Sequence, residues 1–223
     1  MSLQDKRIVI TGGAGGLGQG VAQVARAQGA RVIVLDIVTV GDELADESYV
    51  VDLINSDSVN DCFAQIGDFD VVANIAGGFA MGPEVAVTDD DFWQAMFDIN
   101  VTTVRRVVSA AMPQFVAKGR GSIVNVGAYG ALRGMANMGA YLAAKSAVMR
   151  LTESLSEEVK SQGINVNAVL PSVIDTPTNR TAMPDADVGQ WVSPTDLGEV
   201  VCFLGSDKAK AIHGALLPVT GLA

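Results

Sequence analysis

Tyr141 and Lys145 are the two side chains in this sequence whose types and spacing indicate acid–base chemistry. Residues four apart on a helix share a face, so the lysine ammonium would lie beside the tyrosine phenol. A nearby positive charge favours the phenolate and lowers the pKa of a tyrosine from its usual value of about 10. Tyr141 could then exchange a proton nearer to neutral pH. The same spacing also occurs where a half-buried tyrosine lies beside a surface lysine, so the surrounding elements must decide between the two interpretations.

A glycine-rich turn near the start of the chain predicts a nucleotide site. The segment Lys6–Asp36 reads as a buried strand, a turn rich in glycine, a helix, and a second buried strand that ends at Asp36. Glycines let backbone amides approach a pyrophosphate at a helix N-terminus, where free N–H groups and the helix dipole favour negative charge. The alternative is a glycine-rich turn that binds no ligand.

The carboxylate of Asp36 predicts NAD rather than NADP as the cofactor. At the end of the second strand it can hydrogen-bond the adenosine ribose hydroxyls, and it would repel a 2′-phosphate. Neither the glycine turn nor Ile37–Thr39 supplies an arginine or lysine to offset that repulsion. The next strand, predicted over Tyr49–Leu53, would place Asp52 and Leu53 beside the adenine, although Asp52 could instead cap the following helix.

The rest of the chain alternates predicted helices and strands, which favours a single α/β domain over residues 1–223. The expected architecture is a Rossmann-like, doubly wound parallel sheet flanked by helices. Predicted helices cover 56–66, 102–118 with a kink at Pro113, 139–162 and 195–204, and another helix begins with Thr88 as its N-cap. Further strands are predicted over 70–74, 121–126, 164–170 and 214–219. Residues 172–193 are expected to form a long loop with at most a short helix.

The charge balance argues against nucleic-acid and membrane-surface functions. Fifteen Lys and Arg against 25 Asp and Glu give a formal net charge of −10, whereas both functions need a basic face. The isolated Cys62 and Cys202 and the single His213 offer neither a disulfide framework nor a zinc cluster. The opening MSLQDKR runs straight into a strand, and no stretch of about 18 apolar residues follows. We therefore expect a protein of the reducing cytoplasm that acts on a small molecule.

The order of the motifs resembles the short-chain dehydrogenase/reductase family over nearly the whole chain. The matching positions are 11–18, 74–77, Asn100, Tyr141 with Lys145, and Pro171 followed by Thr176. The resemblance implies that Tyr141 is the general acid/base, that Lys145 binds the nicotinamide ribose and tunes Tyr141, and that Asn100 holds a water in the proton relay. Asn100 could instead be a helix-kink or capping residue, and Thr176 an ordinary turn hydroxyl.

The glycine turn, Asp36 and the family resemblance together imply a cofactor-binding set with NAD as the cofactor, and no metal is expected. Its members are Thr11, Gly12, Gly16, Leu17, Gly18, Asp36, Asp52, Leu53, Asn74, Ala76, Gly77, Tyr141, Lys145, Pro171, Ile174 and Thr176. The two helices predicted over 102–118 and 139–162 resemble the pair through which this family associates, which implies a homodimer or homotetramer.

Two positions depart from the family pattern. Ala128 stands where the family usually has a serine that hydrogen-bonds the substrate oxygen, and Ser172 stands where glycine is usual. Ser146 cannot obviously replace the missing hydroxyl, because it points about 100° around the helix from Lys145. The missing serine indicates either an inactive nucleotide binder or a substrate that needs less help than an ordinary ketone.

Several loops resemble the dihydropteridine reductase branch of the family, which also lacks that serine. The matching segments are 76–82, 127–128, 170–180 and 183–187. This likeness implies NADH-dependent reduction of a quinonoid dihydropterin or a similar conjugated substrate. The alternatives are a general alcohol or ketone dehydrogenase and a non-catalytic NAD(H)-binding sensor. Candidates to line the substrate space, which could equally be packing residues, are Phe79, Met81, Met183 and Trp191.

Overall fold

The computed structural model describes residues 2–222, whose seven parallel strands form one sheet in the order β3-β2-β1-β4-β5-β6-β7. The strands are β1 Arg7–Thr11, β2 Arg31–Asp36, β3 Glu47–Val50, β4 Val71–Asn74, β5 Gly121–Val126, β6 Ile164–Pro171 and β7 Leu216–Val219. The helices are α1 Gly16–Ala27, α2 Ser56–Ile66, α3 Asp90–Phe97, α4 Thr103–Lys118, α5 Gly139–Val159, α6 Pro177–Ala182 and α7 Pro194–Gly205. The predicted single-domain, doubly wound fold is confirmed. The strand order reverses between β1 and β4, where such sheets bind ligands beyond the carboxyl ends of their strands.

Apolar layers cover both faces of the sheet, which explains why β1, β2 and β4 contain continuous apolar runs. Neighbouring residues of β1 point to opposite layers: Ile8 and Ile10 lie in one buried cluster and Val9 lies in the other. In the first layer α1 packs directly against α7, and a β-carbon at Gly20 would lie 2.5 Å from Pro194 Cβ. Glycine at position 20 therefore sets how closely these two helices can approach.

Strand β3 starts and ends earlier than the sequence predicts. It pairs only with β2, from Ile33 opposite Glu47 to Asp36 opposite Val50. Because β2 ends at Asp36, the chain beyond Val50 has no neighbour with which to continue the ladder. Asp52 and Leu53 consequently lie in the turn before α2, and not at a strand end as predicted.

The N-caps of α2 and α3 also differ from the prediction. The Asn55 side chain caps α2 by accepting the N–H groups of the second and third helical residues, so Asp52 is not its cap. Asp89 caps α3 by accepting the Phe92 N–H at 2.7 Å. The predicted cap, Thr88, donates its hydroxyl to the Glu84 carbonyl oxygen at 3.0 Å instead.

Helix α4 passes through Pro113 without a break, and a five-residue π-helix, Asp98–Thr102, joins it to α3. A wider turn of this kind is often found at functional sites, and this one carries Asn100. The loop 172–193 contains two short helices, α6 and a 3-10 helix over Val188–Gln190, where at most one was predicted, and a bridge between Ile174 and Val192 ties its two ends together. Within residues 2–222, the helices are all too short or too polar to cross a membrane.

Candidate active site

The turns after β1 and β4 are held against each other at the carboxyl edge of the sheet. The buried Thr11 hydroxyl accepts the N–H groups of Ile75 and Ala76, each at 3.1 Å. Gly12 has φ +69°, and a β-carbon there would lie 2.7 Å from the Ala76 α-carbon. Only glycine suits both this backbone conformation and this close approach. Thr11, Gly12 and Ala76, three of the predicted cofactor residues, therefore lie together.

The glycine turn is compact because its members pack on one another. A β-carbon at Gly18 would overlap the Gly12 carbonyl oxygen, and one at Gly13 would lie 2.5 Å from a Val34 methyl group. Leu17, the second residue of α1, points into the first apolar layer. The turn thus presents backbone at the N-terminus of α1, where N–H groups are free to bind an anion.

Asp36 lies directly beside this turn. One carboxylate oxygen accepts the Ala14 N–H at 2.9 Å, and the other accepts the Ile37 N–H at 2.7 Å. The structure does not link Asp52 or Leu53 to the turn in the same way. Leu53 is buried in the second apolar layer, and the Asp52 carboxylate accepts the N–H of Ile54 at 2.8 Å. Of the three residues, Asp36 is the one held against the glycine turn.

Asn100 fastens the segment that follows β4. Its side chain is fully buried, and its amide nitrogen donates to the carbonyl oxygens of Gly78 at 2.9 Å and Met96 at 3.0 Å. Its amide oxygen accepts the Gly78 N–H at 3.2 Å. Both amide protons are therefore used within the protein, and the side chain acts as a clamp on residue 78.

Gly77, Asn100 and Lys145 meet at one point. A β-carbon at Gly77 would lie 2.8 Å from Asn100 Oδ1 and 3.3 Å from Lys145 Nζ. The structure thus brings together residues from the β4 turn, the π-helix and α5, which are far apart in the sequence. This convergence at the carboxyl edge is the central geometric feature of the site.

Lys145 is buried, with 6% of its surface exposed. Its one hydrogen bond among the described residues goes from Nζ to the Val126 carbonyl oxygen at 2.9 Å. Burial lowers the pKa of Lys145 to about 8, because a desolvated ammonium is less stable than one in water. An ammonium has three N–H donors, so two of those on Lys145 are available to a ligand.

The Tyr141 ring packs edge-on against Phe79, with the ring centroids 5.0 Å apart. Burial raises the pKa of Tyr141 to about 12. The predicted lowering of this pKa by Lys145 is therefore wrong. The physical reason is that both groups are desolvated, and desolvation disfavours the charged form of each.

The two departures from the family pattern have clear local structures. Ala128 is buried directly after β5, where it offers no hydroxyl. Ser146 donates its hydroxyl to the Ala131 carbonyl oxygen at 3.0 Å, so it does not substitute for the missing serine. Ser172 donates its hydroxyl to the Thr220 carbonyl oxygen at 2.8 Å and thereby ties the end of β6 to the C-terminal segment.

The long loop begins over the glycine turn. A β-carbon at Gly16 would lie 2.9 Å from a Thr176 side-chain carbon, so the two predicted cofactor residues are adjacent. The Thr176 hydroxyl also caps α6, and Ile174 offers its carbonyl oxygen to the Asn179 side chain at 2.8 Å. Pro171 ends β6 opposite Val219. Thr176 therefore has a capping role as well as its place beside the turn.

A buried polar chain behind the site was missed by the sequence analysis. The Asn74 side chain donates to Asn125 Oδ1 at 2.8 Å, and the Asn125 side chain donates to the Thr152 hydroxyl at 2.9 Å. The chain joins β4 and β5 to α5, the helix that carries Tyr141 and Lys145. A signal was present in the sequence, because Asn125 interrupts the otherwise apolar end of a predicted strand.

Known proteins match this chain over nearly its whole length. Residues 12–221 match the family model described as Enoyl-(Acyl carrier protein) reductase. The cis-4-hydroxycyclohexanecarboxylate dehydrogenase of Sinomonas cyclohexanicum is 31% identical over 234 residues, which cover 96% of this chain and 94% of that protein.

Solved structures share both the fold and nearly the full length. The 3-ketoacyl-(acyl-carrier-protein) reductase of Brucella melitensis complexed with NADH is 27% identical, with a TM-score of 0.88 and coverage of 99% of this chain and 98% of that one. A candidate 2-deoxy-d-gluconate 3-dehydrogenase of Agrobacterium tumefaciens with bound NADP is 28% identical, with a TM-score of 0.90 and coverage of 99% and 96%. Sequence match, fold and full-length coverage agree, and the chain belongs to the short-chain dehydrogenase/reductase family of oxidoreductases.

Proposed function

We propose that this chain is an NAD(H)-dependent reductase in which Tyr141 is the general acid/base. The observation that carries the proposal is the convergence of Gly77, Asn100 and Lys145 at the carboxyl edge of the sheet, on the helix face that also bears Tyr141. The residues fit a nicotinamide dinucleotide. The backbone of the glycine turn lies at the N-terminus of α1, and the buried Lys145 has two N–H donors available for ribose hydroxyls.

A reduced nicotinamide, when bound, supplies the hydride. Tyr141 gives its phenolic proton to the heteroatom of the reduced double bond and regains a proton from solvent. Lys145 holds a positive charge that stabilises the phenolate left behind. Asn100 fixes the backbone of Gly78, and we assign to it the positioning of a water in the proton relay. Pro171, Ile174 and Thr176 would border the nicotinamide.

Tyr141→Phe tests the catalytic role against a purely binding role. We expect turnover to fall by at least 100-fold while NADH affinity, measured by fluorescence titration, changes less than threefold. The missing hydroxyl at Ala128 favours a second candidate function, a sensor that binds NADH without turnover. A wild-type protein that binds NADH and reduces none of the substrates described below would support the sensor and refute the reductase.

The cofactor preference follows from Asp36. Its carboxylate lies beside the glycine turn, where it would repel the 2′-phosphate of NADP. We expect kcat/KM for NADH to exceed that for NADPH by at least tenfold. A preference for NADPH would refute this assignment and leave the reaction type intact.

The absent hydroxyl at Ala128 guides the choice of substrate. An electron-poor conjugated ring depends less than a ketone on a hydrogen bond from a serine hydroxyl to its acceptor atom. A quinonoid dihydropterin is therefore our first candidate. General ketone reduction is the alternative. Parallel NADH oxidation assays with quinonoid 6-methyldihydropterin and simple ketones separate the two, and Ala128→Ser is expected to raise activity on ketones without being required for the pterin.

We also propose that the protein acts in the cytoplasm as a homodimer or homotetramer. Both cysteines are buried free thiols. Val116 on α4 and Leu151 on α5 are exposed apolar residues on the two helices predicted to associate. Light scattering after size-exclusion chromatography measures the mass directly, and a monomer at micromolar concentration would refute the association.

A further inference from the structure

Residues 77–98 and 127–139 lie next to Tyr141, and residues 172–193 begin over the glycine turn; the three segments together are here called the mouth. Phe79 of the first segment contacts the Tyr141 ring. The first and second segments are joined by a hydrogen bond from the Gly82 N–H to the Asn137 carbonyl oxygen at 2.9 Å. A β-carbon at Gly82 would lie 2.7 Å from the Phe92 ring, so α3 borders the mouth. The third segment starts over the glycine turn, where Thr176 lies against Gly16.

The mouth is rich in exposed apolar side chains. Large apolar residues exposed in its three segments are Phe79, Met81, Val85, Val87, Tyr129, Leu132, Met135, Met183 and Val188. Exposed apolar surface concentrated at one place marks a binding site for an apolar ligand or partner. Because this surface includes Phe79, which contacts the partly buried Tyr141 ring, a substrate with an apolar or aromatic face fits it.

The same three segments are strongly acidic. Their carboxylates are Glu84, Asp89, Asp90, Asp91, Asp98, Asp175, Asp185 and Asp187, and their guanidinium groups are Arg133 and Arg180. The Arg180 charge is already paired with Asp175 at 2.5 Å. An anionic group approaching Tyr141 would therefore meet an excess of negative charge, with the exposed Arg133 as the one unpaired cation of these segments.

We propose that the site selects an uncharged substrate with an apolar or aromatic face and rejects substrates attached to an anionic carrier. This inference rests on the proposed reductase function. It distinguishes this chain from reductases that act on carrier-linked substrates, as the names of the matched family and of the Brucella melitensis enzyme indicate. Carrier thioesters bring phosphate groups to the mouth, where the acidic field lowers their local concentration and their association rate.

Two matched substrate pairs test the inference with NADH and purified full-length protein. The first is quinonoid 6-methyldihydropterin against quinonoid dihydrofolate, which adds a charged glutamate tail to the same ring. The second is the N-acetylcysteamine thioester of acetoacetate against acetoacetyl-CoA. We expect kcat/KM for the uncharged member to be at least tenfold higher at low ionic strength. The ratio should fall below threefold in 0.5 M NaCl, because salt screens the field.

A pair of charge variants shows whether the mouth causes the preference. Asp90→Asn with Asp91→Asn removes two exposed mouth carboxylates next to the Asp89 cap. The control is Asp61→Asn with Glu158→Gln, which removes the same charge from exposed positions outside the mouth. The mouth variant is expected to raise kcat/KM at least threefold for the charged members alone, and the control is expected to change it less than 1.5-fold.

The possible results separate the two proposals. Equal or faster turnover of the charged members would overturn the inference and leave the reductase function standing. An equal effect of the two charge variants would show that net charge, and not the mouth, sets the preference, and would also overturn it. Absence of turnover with all four substrates would remove the proposed function, and the inference would fall with it.

Discussion

Gly77→Ala is expected to damage both stability and activity, although alanine suits the backbone of most exposed turns. The new β-carbon would lie 2.8 Å from Asn100 Oδ1, whereas ordinary contacts start at 3.4 Å, so the amide must move by about 0.6 Å. Asn100 is held by three hydrogen bonds of 2.9, 3.0 and 3.2 Å, and such a shift would break at least one of them. Losing one buried hydrogen bond costs about 1–2 kcal/mol of unfolding free energy. The same methyl group would crowd Lys145 Nζ at 3.3 Å.

Thermal unfolding and steady-state kinetics check this expectation together. The melting temperature should fall by about 2–8 °C for a chain of this size. A displaced catalytic group should lower kcat by about tenfold or more, since misplacement by 1 Å can cost about 100-fold. Gly134→Ala is the matched control, because position 134 is also exposed and a β-carbon there has nothing within 4 Å. If Gly77→Ala melts and turns over like Gly134→Ala, the convergence of Gly77, Asn100 and Lys145 does not constrain the site.

Three further substitutions test other parts of the site. Asp36→Asn should lower the ratio of kcat/KM for NADH to that for NADPH. It should also weaken binding of both cofactors, because the Ala14 N–H loses a charged acceptor at 2.9 Å. Tighter NADPH binding with undiminished NADH binding would contradict this expectation. Lys145→Met should abolish turnover yet raise the free energy of unfolding at pH 7 by about 1–3 kcal/mol, since burial lowers the pKa of Lys145 to about 8 and disfavours the ammonium. Between pH 8 and 10 the unfolded lysine binds more protons than the folded one, so the wild-type free energy of unfolding rises with pH. The difference in unfolding free energy between Lys145→Met and wild type, measured by urea titration, should therefore narrow over this range. A difference that stays constant would refute the pKa argument. Thr152→Val should lower the free energy of unfolding by about 1–3 kcal/mol, because the Asn125 side chain loses its buried acceptor. A drop in kcat with KM unchanged, restored by Thr152→Ser, would show that the polar chain positions α5.

The sequence predicted the elements where one local pattern decides the structure. Runs of apolar residues predicted β1 and β2, because a strand covered on both faces carries mostly apolar side chains. Strands β5 and β6 were also predicted, although the buried Asn125, Asn165 and Asn167 interrupt their apolar residues. The amphipathic helix over 56–66 was placed at its observed bounds. These features depend on neighbouring residues alone, and the local signals were sufficient.

The errors at β3 and at the Tyr141 pKa, and the missed π-helix, depend on partners or burial that the local sequence does not show. The end of β3 is set by the end of β2, which is not visible in residues 47–53. The π-helix before α4 was not predicted either, and there the Asn100 side chain reaches across to the Gly78 backbone. The pKa of Tyr141 was expected to fall because only its distance along a helix from Lys145 was known, and not how deeply both are buried.

The two pKa shifts also bear on how the site can work. Burial raises the pKa of Tyr141 to about 12 and lowers that of Lys145 to about 8, so desolvation opposes the phenolate and the ammonium alike. A phenolate beside an ammonium contains the same number of protons as a phenol beside an amine. Passing between these two forms therefore needs no proton from solvent. It needs only a field that stabilises separated charge, and the Val126 carbonyl oxygen, 2.9 Å from Lys145 Nζ, supplies part of that field on the ammonium side. We therefore expect the alkaline limit of substrate reduction to report the Tyr141–Lys145 pair as a unit, because the shared proton can lie on either group.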